Sequence, residues 1–353
     1  MPVVGQRDPA EIQDTLEQWL AQQAGVDRVE ITELVIPQSS GFSNETFLLT
    51  AVWDGEPHRL VLRSQPVQSL LFPEIDLIEQ QYLSMKLLWD TDVPVAKVLW
   101  AEPDTSVLGQ PFFVMERLDG LVPGDVPVYT SEGFVFDMTP EERARWARNA
   151  VGGMVKVNQV DWEAAGFQHL DKRHHGPLGP EQRKSYFRNY LDFATGGEHH
   201  PLATPVFEKL LEIWPDDGDL IELCWGDARP GNQMFDGPEL LAIFDWEMVS
   251  LGNAESDLGW WLFLQEFSTV GMGATLLPGM LDEAATIALW EELMGRQAVN
   301  VDFYKKLAGF QFSLVMMRIM QVAGAAELAL QSPVLVMTAE MFGLPPLSPA
   351  ASG

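Results

Sequence analysis

Cysteine is nearly absent. The chain has 353 residues and one cysteine, Cys224, so it has no internal disulfide framework and no cysteine-based zinc site. Basic residues are scarce, with 22 Lys+Arg against 51 Asp+Glu and a formal net charge of −29. Such a surface repels nucleic-acid phosphate and anionic membranes, so neither is an expected partner. It favours solubility and salt tolerance, and it would suit a cationic substrate. No apolar run in the sequence approaches the ~18 residues of a membrane span. Residues Met1 to Asp8 lack a basic stretch followed by an apolar one, so no signal peptide is expected. These absences describe a reduced, cytoplasmic protein of unknown oligomeric state. The six histidines show no helical H-x3-H spacing. His174-His175 and His199-His200 read as polar loop pairs rather than metal ligands.

What is present is globular in composition, with 46% hydrophobic and 21% charged residues, which excludes wholesale disorder. The length suits two domains or one large bilobal unit. Asp8-Pro9 opens a predicted helix over 9–24, with Ile12, Leu16 and Leu20 on one face. Strands follow at 29–36, 45–53 and 58–63, with Asp54-Gly55 as a hairpin turn and a turn-rich run at 38–44. A helix is expected over 72–89, with Ile75, Ile78, Tyr82, Met85 and Trp89 on one face, then strands at 95–101 and 111–115. Beyond the Pro/Gly-rich stretch 120–127 the pattern turns helical, near 139–158, 179–196, 204–214, 254–267, 281–294 and 302–330. Two short apolar runs, 220–225 and 240–244, read as a small β-hairpin unit among these helices. The expected organisation is a β lobe with a leading helix over 1–119, a helical lobe over 120–343 and a tail over 344–353.

The chemistry concentrates in Trp225-Gly226-Asp227-Ala228-Arg229-Pro230-Gly231-Asn232 and in Phe244-Asp245-Trp246-Glu247. Each aspartate follows an apolar strand, so each emerges at a strand end. A carboxylate and an amide oxygen, Asp245 and Asn232, are hard ligands suited to Mg²⁺ on nucleotide phosphates. A second carboxylate, Asp227, can accept the proton of an attacking hydroxyl. Arg229, two residues on, can face a γ-phosphate. The bare spacing Asp-x4-Asn is weak; its strand–acid–loop–amide–strand–acid context carries the reading. Glu247 is either a further acid near the metal or a salt-bridge partner. The aromatic and Met-rich helices of the last hundred residues, including Trp260, Trp261, Phe263, Phe267, Phe310 and Phe312, read as core, with an apolar acceptor pocket as the alternative.

These segments resemble the aminoglycoside phosphotransferase/choline kinase-like family, relatives of the protein kinases. The resemblance runs from about Ile31 to Phe267. It rests on Gly41-Phe42-Ser43-Asn44-Glu45-Thr46-Phe47, Leu60-Val61-Leu62-Arg63, Pro111-Phe112-Phe113-Val114-Met115-Glu116, the two motifs above, and Gly252 with Asp257-Leu258. It is similar to the branch of bacterial phosphotransferases related to the kinase-like part of acyl-CoA dehydrogenase fusion proteins. The resemblance implies an α+β, bilobal protein kinase-like fold that binds ATP, with GTP as the alternative nucleotide, and Mg²⁺. It implies that Gly41, Ser43 and Asn44 cover the phosphates, that Arg63 touches them, and that the backbone of Met115, Glu116 and Arg117 meets the adenine. Asp227 would be the catalytic base with Arg229 beside it, Asn232 and Asp245 would hold the metal, and Asp257 would support the catalytic loop from behind.

The sequence departs from the family pattern in four places. Trp225 stands where His is usual, Arg63 where Lys is frequent, Gln81 where an acid would pair with the strand cation, and Asn158 where a helical His is common. The expected reaction is transfer of the γ-phosphate of ATP to a hydroxyl of a small molecule. The acceptor is either an amino sugar, which the acidity favours, or an apolar hydroxylated compound such as a hydroxyacyl-CoA, which the aromatic helices favour. The alternative is a nucleotide-binding pseudokinase or scaffold, to which Trp225, Arg63 and Gln81 point. Turnover that vanishes in Asp227→Ala separates the two.

Overall fold

The computed structural model describes residues 7–37, 44–65, 71–74, 76–216, 220–269, 271, 273–329 and 332–345. They fall into two compact units, one of Met1–Asp90 and Val95–Asp119, the other of Thr91–Pro94 and Gly120–Gly353. Among the described residues no helix is long and apolar enough to cross a membrane.

The first unit is a five-stranded sheet with one covering helix. Helix α1 (Pro9–Ala24) starts on the Asp8 side chain, which accepts from the Ala10 N–H, and ends at Gly25 in the left-handed region. Strands β1 (Glu30–Val35), β2 (Glu45–Trp53), β3 (Glu56–Ser64), β4 (Val98–Glu102) and β5 (Phe112–Glu116) lie in the order β1-β2-β3-β5-β4, all antiparallel. The β2–β3 turn is Asp54-Gly55, both at positive φ, as a two-residue hairpin with right-handed strand twist requires. Alternation along β2 sends Phe47, Leu49 and Ala51 inward, where Ile12, Leu16, Trp19 and Leu20 of α1 cover them. Each Ile, Leu or Phe among them contributes roughly 1.5–3 kcal/mol on full burial. Leu60 and Leu62 of β3 join this core, so Arg63, one residue out of phase, lies on the opposite face of the sheet.

The helix expected over 72–89 is shorter and differently turned. It begins at Leu77, where the Asp76 carboxylate accepts from the Ile78 and Glu79 N–H groups, with a π-helical turn (Leu77–Leu83) running into α2 (Ser84–Leu88). The wider turn rotates the face. Leu77, Gln81, Ser84, Met85 and Leu88 are buried, while Trp89 is exposed under Lys97; Ile75 lies outside the described residues.

The second unit is mainly helical. Its principal helices are α3 (Pro140–Asn158), α4 (Pro180–Thr195), α5 (Ala203–Glu212), α6 (Glu255–Ser268), α7 (Glu283–Met294), α8 (Val301–Val322) and α9 (Pro333–Met341). Thr139 and Glu142 form a reciprocal capping box at the start of α3, a feature worth about 1 kcal/mol. The single helix expected over 302–330 stops at Val322. Gly324 takes positive φ there, with Ala325 N–H on the Met320 carbonyl and Gly324 N–H on that of Gln321, the 6→1 and 5→2 bonds of a Schellman ending.

The pairing of the short strands also differs from expectation. β6 (Glu222–Cys224) pairs with β9 (Ser250–Gly252), and β7 (Gln233–Asp236) with β8 (Glu239–Ile243). The runs 220–225 and 240–244 are therefore not partners. Gly237 at positive φ closes a tight turn that gives β8 a nearer partner, and Gln-Met-Phe-Asp is too short and polar to signal a strand.

Candidate active site

The second unit brings four sequence-marked residues to the ends of its two small sheets. Asp227 follows β6 after one glycine. Gly226 has φ +92, and a Cβ there would overlap the Met248 backbone, so the chain passes too close for any other residue. Trp225, in the place of a histidine, is fully buried. Its Nε1 donates to the Phe244 carbonyl at 2.9 Å and its ring lies 6.1 Å from that of Trp246. The indole thus ties the end of β6 to the end of β8, beside Asp245.

Asp257 of α6 holds this turn from below. It is fully buried and accepts from the Trp225 N–H (2.7 Å), the Gly226 N–H (2.8 Å) and Asn158 Nδ2 (2.7 Å). Asn158 also donates to the Leu223 carbonyl at 3.0 Å, so its amide joins α3, β6 and α6. Arg296 adds a second clamp, bridging Glu222 of β6 and the buried Glu255 of α6. Burial pushes the Asp257 carboxyl up to about 6, against the lowering effect of its N–H donors. Its folded value lies above the ordinary 3.8, so the folded chain binds this proton more tightly than the unfolded chain. The associated stability is fully present below about 4 and is lost as pH rises through about 6. The gap is worth roughly 3 kcal/mol. The melting temperature of wild type relative to Asp257→Asn should rise as pH falls from 7 to 5. A difference that stays flat with pH would refute this assignment.

Asp227 is held on both oxygens. Oδ1 accepts from Trp260 Nε1 at 2.8 Å and Oδ2 from Asn232 Nδ2 at 2.6 Å, while Arg229 Nε is shared between them at 3.1 Å each. Arg229 Nη1 donates to Asp125. Burial alone would lower the pKa of this guanidinium, but the charges of Asp227 and Asp125 outweigh that and raise it above its ordinary value. Asp125 and Trp260 are site residues that the sequence did not mark. Asp125 sits between Pro123 and Pro127 in a stretch with no motif, and Trp260 reads as one aromatic among many in a core helix.

Asn232 and Asp245 are neighbours through β7 and β8. Gln233 pairs with Ile243, and the Phe244 N–H donates to the Asn232 carbonyl at 2.8 Å. Asp245 comes next, at φ +61, where an aspartate is better tolerated than most residues. With its Nδ2 on Asp227, Asn232 has Oδ1 left as an acceptor. An amide oxygen and a carboxylate at one hairpin end form a hard donor set that fits Mg²⁺.

In the first unit, Arg63 sits on β3 opposite Thr46 and Phe113, and Asn44 is buried just before β2. Gly41 and Ser43 lie outside the described residues. Met115 and Glu116 end β5. The Glu116 N–H is taken by the Lys97 carbonyl and that of Arg117 by the Arg59 carbonyl. Gln81 is buried, and its Nε2 finds no acceptor among the described residues.

Residues 35–294 match the model of the phosphotransferase enzyme family, and the chain belongs to that family. The mouse (Mus musculus) acyl-CoA dehydrogenase family member 10 is 28% identical over 253 residues, which is 70% of this chain and 22% of that protein. The human (Homo sapiens) family member 11 is 28% identical over 251 residues, 69% of this chain and 30% of that protein. The chain thus spans less than a third of the length of these relatives. A crystal structure from Ralstonia eutropha, described as that of a candidate aminoglycoside phosphotransferase, is 26% identical, with TM-score 0.68, covering 93% of this chain and 97% of that one. The fold is accordingly the α+β kinase-like fold that the motifs implied.

Proposed function

We propose that the chain transfers the γ-phosphate of ATP to a hydroxyl of a small molecule. The observation that carries this reading is the position of Asp227, fixed on both oxygens at a strand end beside a hard-ligand pair. The acceptor oxygen attacks the γ-phosphorus, the bond from that phosphorus to the β-bridging oxygen breaks, ADP leaves, and the hydroxyl proton passes to Asp227. In a loose transition state the hydroxyl keeps its proton until late, so Asp227 first orients it and then receives the proton. Asn232 and Asp245 would hold Mg²⁺, which neutralises charge on the phosphates when bound. Arg63 and Asn44 would contact the phosphates. The Glu116 and Arg117 N–H groups are already engaged, so a backbone donor to the adenine would come from beyond Arg117.

The family resemblance supports nucleotide use. A solved aminoglycoside phosphotransferase of the same fold, 14% identical with TM-score 0.57 over 93% of this chain and 99% of that one, is a ternary complex with AMP-PNP and hygromycin B. The acceptor stays open between an amino sugar and an apolar hydroxylated compound such as a hydroxyacyl-CoA. Most of the aromatics that suggested an apolar pocket, including Trp260, Trp261, Phe263 and Phe310, are buried core. Phe267 and Phe312, half-buried and 5.5 Å apart, remain candidates to line one. A second reading, a nucleotide-binding protein without transferase activity, is favoured by Gln81, a neutral amide at the position where an acid would pair with the strand cation. Incubation with γ-labelled ATP, Mg²⁺ and a panel of amino sugars and hydroxylated acyl compounds tests the proposal. Label on an acceptor, lost in Asp227→Ala, supports it; nucleotide binding with no transfer to any of them supports the second reading.

A further inference from the structure

We infer that Asp125 is a positioning residue that aims the Arg229 guanidinium at the transferred phosphoryl group. The inference deepens the proposed function and rests on it for the identity of the incoming group.

Arg229 has five N–H donors in a planar fork. Nε is spent on Asp227 and Nη1 on Asp125. Nη2 makes no hydrogen bond among the described residues, and the side chain keeps 25% of its surface exposed. Two carboxylates on two edges of a planar group fix its plane and its rotation. The third edge then points one way, with donors to spare for an anion. Asp227 alone would leave the fork free to swing about a single shared Nε contact.

Asp125 is itself anchored to the catalytic hairpin. Leu121 and Phe235 of β7 exchange both backbone hydrogen bonds at 2.8 Å. A Cβ on Gly120 would crowd Met234 and the Phe235 carbonyl at 2.9 Å. Beyond Leu121 the chain turns back on itself, with the Tyr129 N–H on the Gly124 carbonyl at 2.9 Å and a bridge between Asp125 and Val128. Asp125 therefore belongs to the same unit as Asp227 and Asn232 and keeps its distance from them. Space is reserved for the pair as well, since a Cβ on Gly231 would overlap Arg229 Nη1 and stand 2.6 Å from Asp125 Oδ1. Gly231 is not at positive φ, so a Cβ there would act by pushing these two side-chain ends aside, not by straining the backbone.

The test uses the full chain, with MgATP hydrolysis as an acceptor-independent assay and the Arg229 Nε–H resonance, assigned through Arg229→Lys, as a structural readout. Asp125 is 57% exposed at its side chain, so Asp125→Asn should fold. It should lower kcat about 10-fold, the scale of one hydrogen bond to a charged group, leave KM for MgATP within about twofold, and shift the Arg229 resonance. Asp125→Glu should restore part of the rate. Gly231→Ala, which displaces the guanidinium without removing a charge, should shift the same resonance. An unchanged resonance in Asp125→Asn, or an unchanged kcat, overturns the inference. Absence of hydrolysis in wild type strikes the proposed function instead, and the resonance still decides whether Asp125 orients Arg229.

Discussion

Asp227→Asn is expected to bind MgATP within about twofold of wild type and to lose at least ~10²-fold in rate, the usual scale for a positioned base. The substitution is nearly isosteric. Its amide oxygen can still accept from Trp260 Nε1 and Arg229 Nε, both of which reach Oδ1. The new NH2 group, however, would face Asn232 Nδ2, which now donates to Oδ2 at 2.6 Å. Two donors in that position repel, and neither receives a proton from a hydroxyl. The proton acceptor is lost, while Asp245, the charged member of the proposed metal pair, is untouched and keeps MgATP bound. Steady-state rates with and without acceptor, beside nucleotide titrations, check this. A variant that keeps its rate would make Asp227 a structural residue and would leave the reaction without a base.

Asp245→Ala is expected to abolish the Mg²⁺-dependent part of nucleotide binding with the fold intact. Asp245 is half-buried at the hairpin end, next to the Phe244–Asn232 backbone bond. Removing it deletes the only full negative charge of the proposed metal pair, since Asn232 offers a neutral oxygen. Thermal denaturation is the direct measurement, because a ligand that binds the folded state raises its midpoint by mass action. Wild type should melt higher with millimolar MgATP than with ATP and chelator, and the variant should show no such difference. Circular dichroism should be unchanged. An equal MgATP shift in the variant would refute the metal assignment; no shift in wild type would refute the nucleotide site.

Both variants touch residues that the sequence made visible. Asp227 and Asp245 stood out because each follows an apolar strand, and Asn232 because it stands five residues after Asp227, a local pattern. Their partners did not. Asp125 lies 104 residues before Arg229 and Trp260 lies 33 residues after Asp227, and neither separation has a periodicity that marks a contact. Trp225 showed the same limit. As a departure from a family pattern it read as variation without a stated role, yet in the fold its indole N–H makes a bond that joins two strand ends. Gln81 went the other way, buried in a π-helical turn with its Nε2 left without an acceptor among the described residues.

By itself the sequence determined whatever depends on neighbours along the chain. Helix α1 with its Asp8 cap, the Asp54-Gly55 hairpin, the Thr139 capping box and the strand-end position of the two aspartates all follow from side-chain alternation, capping chemistry and glycine's access to positive φ. Tertiary structure decided what depends on packing between distant segments. It chose β7 over β6 as the partner of β8, buried Asp257 beneath the Gly226 turn, and set Asp125 against Arg229. The physical reason is the same in each case. Local hydrogen bonds and backbone sterics are set within a few residues, whereas burial, strand pairing and charge neutralisation are settled only when segments far apart in the chain compete for the same space.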